Sequence, residues 1–173
     1  FLGWSMTVDT DEDAEAQDFV LASEEEDADN SDATVVKENI TLTAKWVKTV
    51  DISSAADLEA VRTALSGDDE ELKAEYASAE FTFSASVEAN DWTPLFDESL
   101  PFTGSVEGNG LSVTIRGAAD ENGLFGLFGM LSGSVNDLVV MATLESAPTA
   151  ETAFVGGIAA IAKDAEINGC AAH

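Results

Sequence analysis

The chain has 173 residues, of which 34 are Asp or Glu and only 7 are Lys or Arg, giving a formal net charge of −27 at pH 7. Nucleic acid and anionic membrane are therefore poor partners, because affinity for either rests on cationic side chains, and no stretch approaches the ~18 apolar residues of a membrane helix. The single cysteine, Cys170, excludes an internal disulfide, while 45% apolar residues suffice for one ordinary domain or two small ones.

In chain order, Phe1-Leu-Gly-Trp4 is followed about forty residues later by an alternating run. Ile40, Leu42, Ala44 and Trp46 fall on one face and Thr41, Thr43 and Lys45 on the other, the pattern of a half-buried strand. Between them lies an acidic insert, Asp9 to Asp32, interrupted by Phe19, Val20 and Leu21. The first 36 residues hold twelve Asp or Glu and no Lys or Arg, so most of the insert is expected to be a mobile, solvated loop. Val47 to Ile52 reads as a short β connector. Ser53 and Ser54 are N-cap candidates for a helix over Ala55 to Leu65, with Asp57 in its first turn, Leu58, Val61 and Leu65 at helical spacing, and Gly67 as the stop. Asp68 to Glu75 reads as an acidic loop or fraying turn. Phe81, Phe83, Ala85 and Val87 alternate with Thr82, Ser84 and Ser86, which predicts one strand, and Asp91-Trp-Thr-Pro94 predicts a turn.

From Phe102 onward glycine punctuates the chain. The tract Phe102 to Gly117, with the alternating Leu111, Val113 and Ile115, is followed by Gly123-Leu-Phe-Gly126 and Val155-Gly-Gly-Ile-Ala159. Two units close on an Asn two places before a small or apolar residue, at Asn136-Asp-Leu138 and Asn168-Gly-Cys170. Such a repeat predicts stacked coils, because each coil has an apolar face that only its neighbours can cover. Phe125, Phe128, Leu131, Val135, Leu138 and Val140 are the expected core, at about 1.5–3 kcal/mol each for full burial. Cys170 is expected to turn into a coil as a small apolar side chain. An exposed, association-prone edge is expected after Ile167.

These strings resemble the GLUG-motif repeats of large bacterial surface proteins, including regions that accompany IgA-cleaving peptidases. The resemblance spans about residues 50–173. It is carried by the helix Ala55 to Leu65 and by Trp92-Thr-Pro94, Pro101-Phe-Thr-Gly104, Gly108-Asn-Gly110, Gly123-Leu-Phe-Gly126 and Val155-Gly-Gly157. Glu107 stands where Asp is usual, and Ala160 where a second-turn Gly is usual. The resemblance implies a right-handed β-helix whose single N-terminal helix covers its open start. Phe1-Leu-Gly-Trp4 and Ala44-Lys-Trp46 resemble the closing part of a Listeria–Bacteroides repeat, an internalin B-type β-grasp module, over about residues 1–47. The fold expected is all-β in two parts: a partial β-grasp repeat over 1–48 with its acidic insert at 9–32, then a helix-capped β-solenoid over 49–173. The opening at Phe1 and the stop just after a repeat closing read as a fragment of a longer chain.

Candidate chemistry is sparse. His173, the one histidine, is terminal, so a Ser/His/Asp or Cys/His device lacks a base in a folded region, and there is no His-Glu-x-x-His. No glycine run continues as Gly-Lys-Ser/Thr, so the glycines read as tight turns and close packing rather than a phosphate loop. Asp9, Asp11 and Asp13 start like an EF-hand, but Ala14 replaces its Gly and Val20 its Glu. Asp27, Asp29 and Ser31 do place Glu38 at the twelfth position, with Asp32 in place of Gly. These four are weak Ca²⁺ candidates, and a charged solvated loop is the simpler reading. Asp91, Asp97, Glu107 and Asp120 are candidate carboxylates for polysaccharide cleavage, with only Arg116 and Lys163 as cations in the coil region. Trp4, Trp46 and Trp92 read as core anchors. What the resemblance implies is a non-catalytic segment of a large bacterial cell-surface or secreted adhesin. It would carry no resident cofactor and would serve as a stalk or as a binding surface for a host or matrix protein or glycan, beside flanking domains of the same chain. A β-helix polysaccharide-degrading enzyme and a Ca²⁺-stiffened spacer remain open as alternatives.

Overall fold

The computed structural model describes residues 3–8, 17–19 and 40–173, with side chains from 46 onward. The chain divides into two compact units, Phe1–Val47 and Lys48–His173. Among the described residues no helix is long and apolar enough to cross a membrane.

In the first unit β1 (Gly3–Val8) lies between β2 (Gln17–Phe19) and β3 (Ile40–Lys45), antiparallel to both. Trp4 stands opposite Phe19 on one side and Ala44 on the other, so the two strings singled out in the sequence occupy adjacent strands. The insert expected to be mostly loop thus contains a strand. Gln17 and Phe19 interrupt the charge run and leave a segment able to pair. Asp27, Asp29, Ser31 and Glu38, with most of the insert, lie outside the described residues. Trp46 is not a core anchor: its side chain is 70% exposed. β3 stops at Lys45, so the alternation that would turn Trp46 inward ends one residue early.

The second unit is mostly β, and all of its strand pairings are parallel. It opens with β4 (Thr49–Ile52), α1 (Ala55–Leu65) and α2 (Glu70–Ala77). The strands β5 (Glu80–Phe83), β6 (Val87–Trp92), β7 (Ser105–Glu107) and β8 (Ser112–Gly117) follow. The chain continues through β9 (Leu124–Phe125), β10 (Phe128–Leu131), β11 (Ser134–Asn136) and β12 (Val139–Leu144). It closes with β13 (Phe154–Val155), β14 (Ala159–Ala162), β15 (Glu166–Asn168) and β16 (Ala171–Ala172). One sheet has the order β15-β11-β7-β5-β4 and a second the order β16-β12-β8-β6. A third side is made by β9 with β13, β10 with β14, and the bridges Leu95–Phe128 and Phe102–Leu131. The chain therefore visits the three sides in turn and returns to each in register.

α1 spans the predicted residues because its first turn is well capped. Asp57 Oδ2 accepts from the backbone N–H and the hydroxyl of both Ser53 and Ser54, at 2.8–3.0 Å. Its Leu58 and Val61 are buried, as is Ile52 of β4. Two helices are present where one was expected, because from Glu70 onward the acidic stretch is helical rather than loop. Asp69 accepts the Leu72 N–H at 3.0 Å, and Glu70 and Glu71 lie in the first turn, where the helix dipole favours negative charge. Carboxylates that repel in a coil are stabilising at that position. The strand expected from Phe81 through Val87 is two strands, because the chain turns a corner at residues 84–86 between sheets.

One buried cluster runs from Ile52 to Ile158. It includes all six expected positions, Phe125, Phe128, Leu131, Val135, Leu138 and Val140, each at most 1% exposed. Along its axis the ring of Phe102 lies 5.2 Å from Phe81 and 4.9 Å from Phe128, centroid to centroid. Cys170 is partly buried against the same cluster. At one corner Asn168 stands beside Asn136, 32 residues earlier, and donates its Nδ2–H to Asn136 Oδ1 at 3.3 Å. The residues after them, Asp137 (φ 47°) and Gly169 (φ 62°), both adopt left-handed backbone to make the turn.

Candidate functional site

A cleft of about 430 Å³ lies between the helical pair and the loops after β6 and β8. The end of α1 contributes Arg62 and Leu65, and α2 contributes Glu70 and Lys73. The segment between β6 and β7 contributes Leu95, Asp97 and Leu100, and the turn after β8 contributes Asp120.

Arg62 is fixed on three sides. Its guanidinium carbon lies 4.7 Å from the centroid of the buried Trp92 ring, Nη1 pairs with Glu59 at 3.1 Å, and Nη2–H donates to Thr93 O at 3.2 Å. Its Nε is buried and, among the described residues, is the one such side-chain atom with no hydrogen-bond partner. Lys73 Nζ pairs with Glu70 Oε1 at 2.6 Å, with the lysine side chain 19% and the glutamate 82% exposed. The glutamate end of that pair is solvent-exposed, so its net worth is small.

The loop side is held by aspartates that organise their own backbone. Asp97 Oδ1 accepts from Ser99 Oγ, Ser99 N–H and Leu100 N–H at 2.6–3.2 Å. Burial pushes the Asp97 carboxyl up, but these hydrogen bonds outweigh it and hold the pKa below the usual carboxyl value. Phe96, just before it, has φ 59°, a left-handed conformation that is uncommon for a bulky side chain and is fixed here by burial of its ring. Asp120 Oδ1 likewise accepts from Asn122 N–H and Leu124 N–H, at 2.9 and 2.8 Å.

Of the four carboxylates singled out in the sequence, Asp97 and Asp120 meet in this cleft. Asp91 lines a separate depression beside Glu145, and Glu107 turns back to accept the Asn109 N–H. Arg116 and Lys163 are not among its lining residues, and His173 lines a third depression with Phe125 and Gly157. The cations at the cleft are Arg62 and Lys73, on the helices, where the coil pattern offers no reason to look. Their helical position and the i, i+3 spacing of each to its glutamate were the available signal. Among the described residues no group of three or more His, Cys, Asp or Glu is placed to hold a metal ion. The arrangement suits recognition of a charged ligand: cations on the helices, carboxylates on the loops, and leucines between. No protein-family model, curated protein or solved structure matches this chain.

Proposed function

We propose that this chain is a non-catalytic segment of a large bacterial cell-surface or secreted adhesin, in which a partial β-grasp repeat precedes the helix-capped start of a right-handed β-solenoid. The observation that supports this most is the parallel, in-register return of the chain to the same sheet at β5, β7, β11 and β15. A stack of that kind extends by adding coils to one continuous core, and its stability is a sum of coil and neighbour terms. It suits a spacer that holds other domains away from a surface, or a long side face that meets a host or matrix protein or glycan. The resemblance to GLUG-motif repeats points the same way, and an acidic surface keeps neighbouring rods apart.

Antibodies raised against residues 48–173 test the location. On this reading they label intact cells that make the chain, or recover it from the medium, and brief external protease treatment removes the signal. Recovery of the antigen only after lysis would sink the reading.

A further inference from the structure

The cleft beside Arg62 is not needed for a stack of coils. An insulating cap needs only the apolar face of α1, which Leu58 and Val61 supply. Yet three of the five Lys and Arg residues of unit Lys48–His173, namely Lys48, Arg62 and Lys73, are on or beside the helical pair, and two of them line this cleft. Opposite them are Asp97 and Asp120, which have no cationic partner among the described residues.

The two signs of charge select the ligand. A simple anion would suit Arg62 and Lys73, but it must approach a chain of net charge −27 and face both aspartates. A simple cation would be drawn in by that field, only to meet Arg62 and Lys73. A zwitterion feels no net long-range force and satisfies both sides. Glu59 and Glu70, which now neutralise the two cations, are 61% and 82% exposed, so a ligand carboxylate can take their place with little lost. Leu65 and Leu100, both partly exposed, add apolar surface along the cleft, which an uncharged polar ligand would not use.

We infer that this cleft binds a small zwitterion with an apolar body, a short peptide with free termini, its carboxylate on Lys73 and Arg62 and its ammonium group on Asp97 and Asp120. The inference stands on the cleft and holds whether or not the chain is part of an adhesin.

The test is an NMR titration of the ¹⁵N-labelled 173-residue chain with the dipeptide leucyl-leucine, alongside its N-acetylated and C-amidated forms. The free dipeptide is expected to shift amides at the end of α1, over residues 93–100 and in the turn at Asp120. Each blocked form is expected to bind about tenfold more weakly, the loss of one end-group contact. Lys73→Gln and Asp97→Asn should each weaken the free dipeptide several-fold while the shifts of β7, β8, β11 and β12 stay unchanged. Asn at 97 keeps an oxygen for the Ser99 and Leu100 N–H groups, so the loop survives. Lys73→Gln should also narrow the gap between the free and amidated forms, which a merely structural effect would not do. Equal binding of blocked and free forms, full retention in both variants, or no shifts at millimolar dipeptide would overturn the inference.

Discussion

The indole of Trp92 lies under the guanidinium of Arg62, 4.7 Å from ring centroid to guanidinium carbon, and its Nε1–H donates to Gly126 O at 2.8 Å. One side chain of β6 thus joins α1 to the segment between β9 and β10. Replacing Trp92 by Phe removes the donor and leaves the Gly126 carbonyl buried without it, at a cost of about 2–4 kcal/mol with the lost volume included. Arg62→Gln should cost less by itself. A double-mutant cycle by chemical denaturation that pairs it with Trp92→Leu, which removes the ring, should return a coupling of about 1 kcal/mol. Additive effects would show that the stacking is incidental.

Gly104 and Gly133 are required for a different reason from Gly110. A Cβ on Gly133 would run into the Gly104 carbonyl, and one on Gly104 into the carbonyl of Ala79, so successive segments approach backbone to backbone along this column. Gly110 has open space around it but a φ of 70°. Gly133→Ala is therefore expected to cost roughly 1–3 kcal/mol or more through overpacking. Gly110→Asn should be nearly neutral, because Asn tolerates the left-handed region. Thermal midpoints of the two variants separate the cases, and a neutral Gly133→Ala would mean that the column opens more easily than its backbone contacts imply.

Asp57 gives a pH signature. Hydrogen bonds from the Ser53 N–H, then from the hydroxyls of Ser54 and Ser53, lower its pKa from the ordinary 3.8. A depressed folded-state value means that its contribution is fully present above the unfolded value and is lost as pH falls through the folded one. Asp57→Asn should thus lower the thermal midpoint at neutral pH, and the gap to the wild type should close as pH falls below the ordinary carboxyl range. A gap that persists in acid would assign the loss to shape rather than charge.

What was legible beforehand follows from which forces act locally. α1 could be read because its caps, Ser53, Ser54 and Asp57, and its buried Leu58 and Val61 all lie within eleven residues of one another. The inward Phe, Leu and Val positions of the coils could be read because alternation reports burial directly. Alternation does not report direction, so Phe81 and Val87, inward on two different sheets, looked like one strand. α2 was hidden by its own charge: Glu70, Glu71 and Glu75 read as a loop until the Asp69 cap and the helix dipole are considered. The cleft was the least visible feature. Arg62, Lys73, Asp97 and Asp120 are separate in sequence, and the loop beside Asp97 is placed by Phe96, whose ring packs on Phe102 and on the more distant Phe81 and Phe128 of other strands.

The far end of the stack makes the last prediction. β13, β14, β15 and β16 each have a neighbour on one side only among the described residues, and Phe154, Val155 and Ile167 are 45%, 57% and 44% exposed. At the opposite end α1 packs on β4 and β6 and buries Leu58 and Val61, so the two ends of the unit are not equivalent. A row of unpaired strand edges with apolar side chains is a template for association. Against it acts the −27 charge, which is screened over about 10 Å at 0.1 M salt and over a shorter range above that. The 173-residue polypeptide should therefore be monomeric in dilute buffer and associate as sodium chloride rises, with Ile167→Lys and Val155→Lys suppressing the effect. Because α1 lies on that end and no helix lies on this one, growth should stop at pairs. Light scattering decides: salt-independent monomers would show the edge to be self-protected, and open-ended growth would show that the helices do not close the other end.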